Sequence, residues 1–276
     1  MREFGKGKGK KFFLTLLVGL LALGAAATGI AQSTSDGAHP HRMTFEQKEA
    51  YMQERLDARF DDLEATDAQR AAVTAELEKL RPSFKAIHDQ RAAYKAELGE
   101  QFFKGNLEHD RVHAIIDASS DQNTKVAHLG LDAALRLHDD FTPEQRAQML
   151  TRWKQPVRQI EGSYFIDRGL DHAMEVISAT DKQRDLAETQ KDAIIASANT
   201  LIKGLAPLRA QAVEQLESKS PDGKLLHANL DRASVLITAF AHDTADSLVT
   251  FANTLSDEQR ATIRDEMAKR RHHRHH

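Results

Sequence analysis

The chain has 276 residues, 41% of them hydrophobic, 29% charged and 6% aromatic, with no cysteine. Disulfide scaffolds, thiol catalysis and cysteine-ligated metal clusters are therefore excluded. The formal charge of −3 becomes about −7 once the N-terminal segment, with Arg2, Lys6, Lys8, Lys10 and Lys11 against Glu3, is set aside, which argues against a nucleic-acid partner.

Residues 1–11 are basic, Phe12 to Leu23 are almost wholly apolar, and Gly24 to Ala31 are small apart from Ile30. This is the three-part order of a secretory signal peptide, here 1–31, with Gly29 and Ala31 at the small positions before the cleavage point. The alternative is an uncleaved inner-membrane anchor. Residues 32–44 form a polar linker. Export without disulfides fits a bacterial periplasm, where ATP is absent.

Beyond the linker, Met52, Leu56, Phe60 and Leu63 recur at helical steps and predict a first helix. After Thr66 the series Val73, Leu77, Leu80, Phe84, Ile87, Tyr94, Leu98 and Phe102 keeps near-heptad spacing and predicts a long second helix that needs a partner, kinked at Pro82. Gly105 and Asn106 break the pattern. A third helix carries Val112, Ile115, Ile116, Val126, Leu129 and Leu135, and a fourth opens at Thr142 with Met149, Leu150 and Trp153 inward. With few glycines and prolines after residue 31, the mature chain reads as all-α, its helices joined as short-loop hairpins.

The pattern then starts again. Ala65-Thr66-Asp67-Ala68-Gln69-Arg70 returns as Ala179-Thr180-Asp181-Lys182-Gln183-Arg184, and Phe141-Thr142-Pro143-Glu144-Gln145-Arg146 returns as Leu255-Ser256-Asp257-Glu258-Gln259-Arg260, both at an offset of 114. The same offset carries His113 onto His227, Asp117 onto Asp231 and His128 onto His242. Two tandem helical modules follow, 45–158 and 159–271, with a histidine-rich tail at 272–276.

Thr66 and Gln69, Thr142 and Gln145, Thr180 and Gln183, and Ser256 and Gln259 are each three apart, the spacing of a capping box in which hydroxyl and amide satisfy each other's backbone N–H. Each cap is worth about 1 kcal/mol. Capping explains the chemistry of these boxes but not their recurrence in pairs. No hydrophobic staple accompanies them, because Arg70, Arg146, Arg184 and Arg260 hold the position it needs, so Phe141 and Leu255 must pack elsewhere.

On these boxes, the leader and the helical stripes, the chain resembles the LTxxQ-motif periplasmic proteins, which include the Spy/CpxP chaperones and related heavy-metal sensors and zinc-binding proteins. It departs from the motif at Ala65, Phe141 and Ala179, where the family has Leu, and at Ser256, where it has Thr. The resemblance implies helical-hairpin modules that dimerise into a cradle. The duplication suggests that the two modules of one chain pair in that way as an intramolecular pseudo-dimer; the alternative is a homodimer of chains.

Function divides accordingly. The resemblance implies an ATP-independent chaperone or envelope-stress adaptor that binds unfolded or misfolded envelope proteins, with Arg55, Arg59, Arg70, Arg81, Lys85, Arg91 and Lys95 as candidate basic residues of its client face. The alternative is a periplasmic sensor or resistance protein for Zn, Cu or Ni that reports to a membrane partner. Its candidate ligands are His109 and His113, four apart on one helical face, and the tail residues His272, His273, His275 and His276. No third partner for His109 and His113 is visible, and the recurrence of His113, His128, His227 and His242 reads as inherited packing, with a shared metal position as the alternative. His39 and His41 read as solvated linker residues. No cofactor is required by any motif, and no phosphate loop, nucleophile elbow or dinucleotide fingerprint points to an enzyme.

Overall fold

The structure is a computed structural model. It describes residues 44–151, 153–155, 159–160 and 164–272, with no side-chain placement for 164–166 or 270–272. The leader, most of the linker with His39 and His41, and the tail imidazoles His272, His273, His275 and His276 lie outside what is described.

The described residues form eight α-helices and no strand. They are α1 Phe45–Asp62, α2 Asp67–Lys104, α3 His109–Leu137, α4 Pro143–Leu150, α5 Tyr164–Val176, α6 Asp181–Glu217, α7 Gly223–Ala252 and α8 Asp257–His272. A 3-10 turn, His138–Asp140, links α3 to α4. Helix starts at Asp67 and Asp181, His109 and Gly223, and Pro143 and Asp257 each differ by 114.

These starts have a local cause. At all four predicted boxes the backbone N–H of the cap donates to the Gln Oε1 at 2.9 or 3.0 Å, and the Gln N–H donates back to the hydroxyl at 3.2 or 3.3 Å. A fifth box, Thr44 with Gln47, opens α1 and was not expected from the sequence pattern. The ends of α1 and α5 also repeat: Glu64 and Ser178 both have φ +50, and Ala65 N–H and Ala179 N–H return to Phe60 and Met174 carbonyls at 2.9 Å. That is a left-handed helix end without the usual glycine. Between α2 and α3, Gly105 has φ +75, and a Cβ there would stand 3.0 Å from the Arg260 guanidinium. Pro82 lies within α2 and Pro207 within α6 without interrupting either helix.

The chain divides into two compact units. Among the described residues, the first comprises 44–89, 120–155 and 204–237, the second 90–119, 159–203 and 238–272. Each unit therefore contains segments of both sequence repeats.

In the first unit Leu56, Phe60, Leu63, Ala65, Val73, Leu137 and Phe141 form one buried cluster. Phe141 packs here, across the hairpin, in place of a staple. A second cluster joins Leu131 and Leu150 of the first repeat to Leu216 and Leu226 of the second.

In the second unit, Leu170, Met174, Ile177, Ala179, Ala187, Phe251 and Leu255 pack together, and every one lies 114 positions after a member of the first cluster. Sizes are exchanged in compensation: Leu137 and Phe141 become Phe251 and Leu255, preserving volume, which is what a packed core tolerates best. Phe102 of the first repeat packs against this cluster. Another cluster sets Val112 against Ala245 and Val249, again one repeat on the other. Leu129, one of the apolar residues of the third helix, is 45% exposed. It sits on the opposite side of α3 from Leu131, which is fully buried; the two are about 200° apart around the helix.

Among the buried polar groups, Glu76 in the first unit accepts from Arg136 and Lys79, each at 2.6 Å. The Arg136 hydrogen bond, then that of Lys79, lowers its carboxyl from 4.5 to about 2. A depressed carboxylate contributes stability that is complete above its unfolded value and is lost as pH falls through the folded one. Glu76→Gln is therefore expected to cost about 1–2 kcal/mol at neutral pH, with the gap to wild type closing between pH 4.5 and 2. Urea midpoints at pH 7 and pH 3 check this.

No helix among the described residues is long and apolar enough to cross a membrane.

Candidate metal centre

The box glutamines come together in pairs, which accounts for their paired recurrence. In the first unit Gln69 Nε2 donates to Gln145 Oε1 at 2.9 Å and to the Asp140 carbonyl at 2.6 Å, while Gln145 Nε2 donates to the Leu63 carbonyl at 3.0 Å. In the second, Gln183 and Gln259 exchange two bonds of 2.9 Å and reach the Thr254 and Ile177 carbonyls at 2.8 and 3.2 Å. Each amide oxygen closes its own cap and each amide nitrogen ties two helix starts together. Gln69 and Gln183 are buried. These residues form a structural lock between the paired helix starts.

The box arginines Arg146 and Arg260 are likewise used internally. Arg146 donates to the Phe141 carbonyl at 2.7 Å and Arg260 to the Ala252 carbonyl at 3.1 Å. Several cations considered for a client face are also committed. Arg59 donates to the Gln148 carbonyl, Arg70 to Asp61, Arg81 to Glu49 and Lys85 to Asp89, while Arg55 lies over the Tyr51 ring.

The histidines converge. On α3 and α7 the spacing His-x-x-x-Asp occurs four times: His113 with Asp117, His128 with Asp132, His227 with Asp231, and His242 with Asp246. Four positions apart on a helix, imidazole and carboxylate stand on one face, one turn from each other. In the second unit His113 Nε2 lies 2.8 Å from Asp246 Oδ1, and His109 Nδ1 lies 3.0 Å from the same oxygen. His242 Nε2 meets Asp117 Oδ1 at 2.8 Å, and the His113 and His242 rings are 4.3 Å apart. Rising numbers on α3 meet falling numbers on α7, so the two helices pair antiparallel in this unit.

One ligand atom from each of His109, His113 and Asp246 lies within 4.8 Å of the others. Bonds from His109 first, then His113, hold the Asp246 carboxyl below the ordinary carboxylate range, so it is an anion at neutral pH. His242 Nδ1, beside this group, is buried and has no hydrogen-bond partner. Two imidazoles and one carboxylate, half-exposed, are a donor set suited to Zn, Cu or Ni, with water free to complete a tetrahedron. Tetrahedral zinc needs its ligand atoms about 3.3 Å apart, so spacings of 2.8 and 3.0 Å would open only slightly.

His109 and His113 thus acquire the third group that the sequence reading lacked. Asp246 went unnoticed because it is 133 positions from His113. The signal that pointed to it was the carboxylate four residues after each recurring histidine. His109 itself has no counterpart in the second repeat, where Gly223 stands.

Comparison with protein-family models, curated proteins and solved structures finds no match to this chain.

Proposed function

We propose that the protein is an exported, periplasmic metal-binding protein that senses or buffers Zn, Cu or Ni through His109, His113 and Asp246. The observation that carries this reading is the approach of these three ligand groups to one another. Membership of the LTxxQ-motif family, with the chain paired on itself as a pseudo-dimer, is part of the proposal and rests on the four boxes and the repeated core. The burial of side chains from both repeats in each unit supports pairing within one chain. A membrane sensor protein is the partner such a role requires. No catalytic role and no nucleic-acid partner are proposed.

The chaperone reading has less support, because several cations first considered for a client face are occupied within the chain. Zinc titration against a chromophoric competitor separates the two. The full chain and a chain lacking residues 272–276 should both bind zinc in the low micromolar range or tighter, and His109→Asn with His113→Asn should weaken this class of site. Binding that disappears with the tail alone would overturn the assignment. Suppression of client aggregation without ATP, regardless of zinc, would restore the chaperone reading.

A further inference from the structure

In the second unit one polar atom stands without a partner beside the three ligand groups. His242 gives Nε2 to Asp117 Oδ1 at 2.8 Å, while its Nδ1 is buried and has no hydrogen-bond partner. Its neighbour is the ring of His113, 4.3 Å away between centroids and tilted by 50°.

The first unit shows the same pair closed. At the offset of 114, His128 matches His242, His227 matches His113, Asp231 matches Asp117 and Asp132 matches Asp246. There too each ring meets its carboxylate through Nε2, at 2.7 and 3.0 Å, but the two Nδ1 atoms stand 2.6 Å apart, a distance that requires a hydrogen between them. Those rings are stacked, 4.9 Å between centroids and 14° between planes. The second pair is already nearer than this, so closing it calls for a change of ring tilt and not for approach of the helices.

Hydrogen counting shows what the second pair needs. A neutral imidazole carries one N–H and one lone pair. The His242 hydrogen belongs at Nε2, where Asp117 accepts it, so Nδ1 is a lone pair in want of a donor. His113 supplies that donor only with its own hydrogen on Nδ1. While His113 Nε2 donates to Asp246, 2.8 Å away, the hydrogen is at the other end of the ring. Once Nε2 gives its lone pair to a metal ion, the hydrogen must sit on Nδ1, facing His242. An acceptor for the far N–H of a ligating imidazole fixes its tautomer and orientation and raises its basicity.

We infer that His242 and Asp117 are positioning residues of the metal centre at His109, His113 and Asp246. His113 Nδ1–H donates to His242 Nδ1, and His242 Nε2–H donates to Asp117, so the carboxylate acts on the ligand through a second ring. The inference rests on the metal-binding reading of the three ligands and adds two residues that touch no ion. It also gives the His-x-x-x-Asp spacing a use: α3 supplies the ligand His113 and the support Asp117, and α7 the support His242 and the ligand Asp246.

The test uses the full chain with nitrogen-15 in its histidine rings, followed by two-bond nitrogen–proton NMR as zinc is added. His113 Nε2 should move to the coordinated range, His113 Nδ1 should take the signature of an N–H, and that hydrogen should show coupling across the bond to His242 Nδ1. His242→Leu, which removes the acceptor, should weaken zinc binding at this centre by about 10- to 100-fold, and Asp117→Asn by about 10-fold. His242→Asn sets an amide group where Nδ1 stood and should recover most of the loss, which a role in packing alone would not allow. Equal losses in His242→Leu and His242→Asn, or wild-type affinity in His242→Leu, overturn the inference. Zinc that moves the His109 and His113 signals without change at His242 Nδ1 does the same and leaves the proposed function standing, whereas zinc that moves neither overturns both. If His242→Leu fails to fold, the wild-type spectrum still decides.

Discussion

Gln69→Ala is expected to lower the free energy of unfolding by about 3 kcal/mol, more than its cap alone is worth. Gln69 is 8% exposed, and its amide serves four partners. Its oxygen accepts from Thr66 N–H and from Gln145 Nε2, and its nitrogen donates to the Asp140 carbonyl and to Gln145 Oε1. Truncation leaves a buried donor and acceptor unpaired, and each costs roughly 1–3 kcal/mol when water cannot replace the partner. Thr66→Ala removes only the hydroxyl arm and should cost about 1 kcal/mol. Gln69→Glu should be at least as harmful as alanine, because a carboxylate oxygen would then face the Asp140 carbonyl. Gln183→Ala is the equivalent change in the second unit. Denaturant midpoints decide the matter: equal costs for Gln69→Ala and Thr66→Ala would mean that the paired amides contribute nothing beyond capping.

Asp246→Asn is expected to weaken zinc binding at His109 and His113 by about 100-fold, equivalent to roughly 3 kcal/mol. Stability without metal should barely change. The carboxylate is half-exposed, so its pairs with two imidazoles contribute little to folding. As a ligand, however, it supplies the only negative charge among the three groups, and asparagine keeps the shape while removing that charge. Asp231→Asn, in the first unit, should leave binding at His109 and His113 unchanged. Competitive zinc titration of both variants, read beside thermal unfolding in chelator, gives the answer. An unchanged affinity in Asp246→Asn would remove the aspartate from the site and leave two histidines, too few to fix a metal tightly.

The pairing of repeats explains why neither arrangement was legible in one stretch of sequence. Cap residues act on their own backbone three positions away, so Thr66 and Gln69 reveal a helix start without reference to anything else. The stripe from Leu56 to Leu63 likewise follows from helical periodicity. Along α3 the apolar residues Val126, Leu129 and Leu131 offer two overlapping faces, and only contact with the rest of the first unit selects the one holding Leu131. Thr44 and Gln47 escaped notice because they stand alone, with no second copy 114 positions on to mark them.

What the sequence determined by itself is therefore local or periodic: an all-α chain, the four repeated helix starts, the 114-residue duplication and the near-heptad character of the long helices. Tertiary structure decided which glutamine meets which, that each compact unit draws on both repeats, and that Asp246 reaches His109 and His113. The physical reason is range. Capping and periodicity are set by interactions within one or two helical turns. A contact across more than a hundred positions depends on how whole helices pack, and that is chosen by the summed burial of their apolar faces.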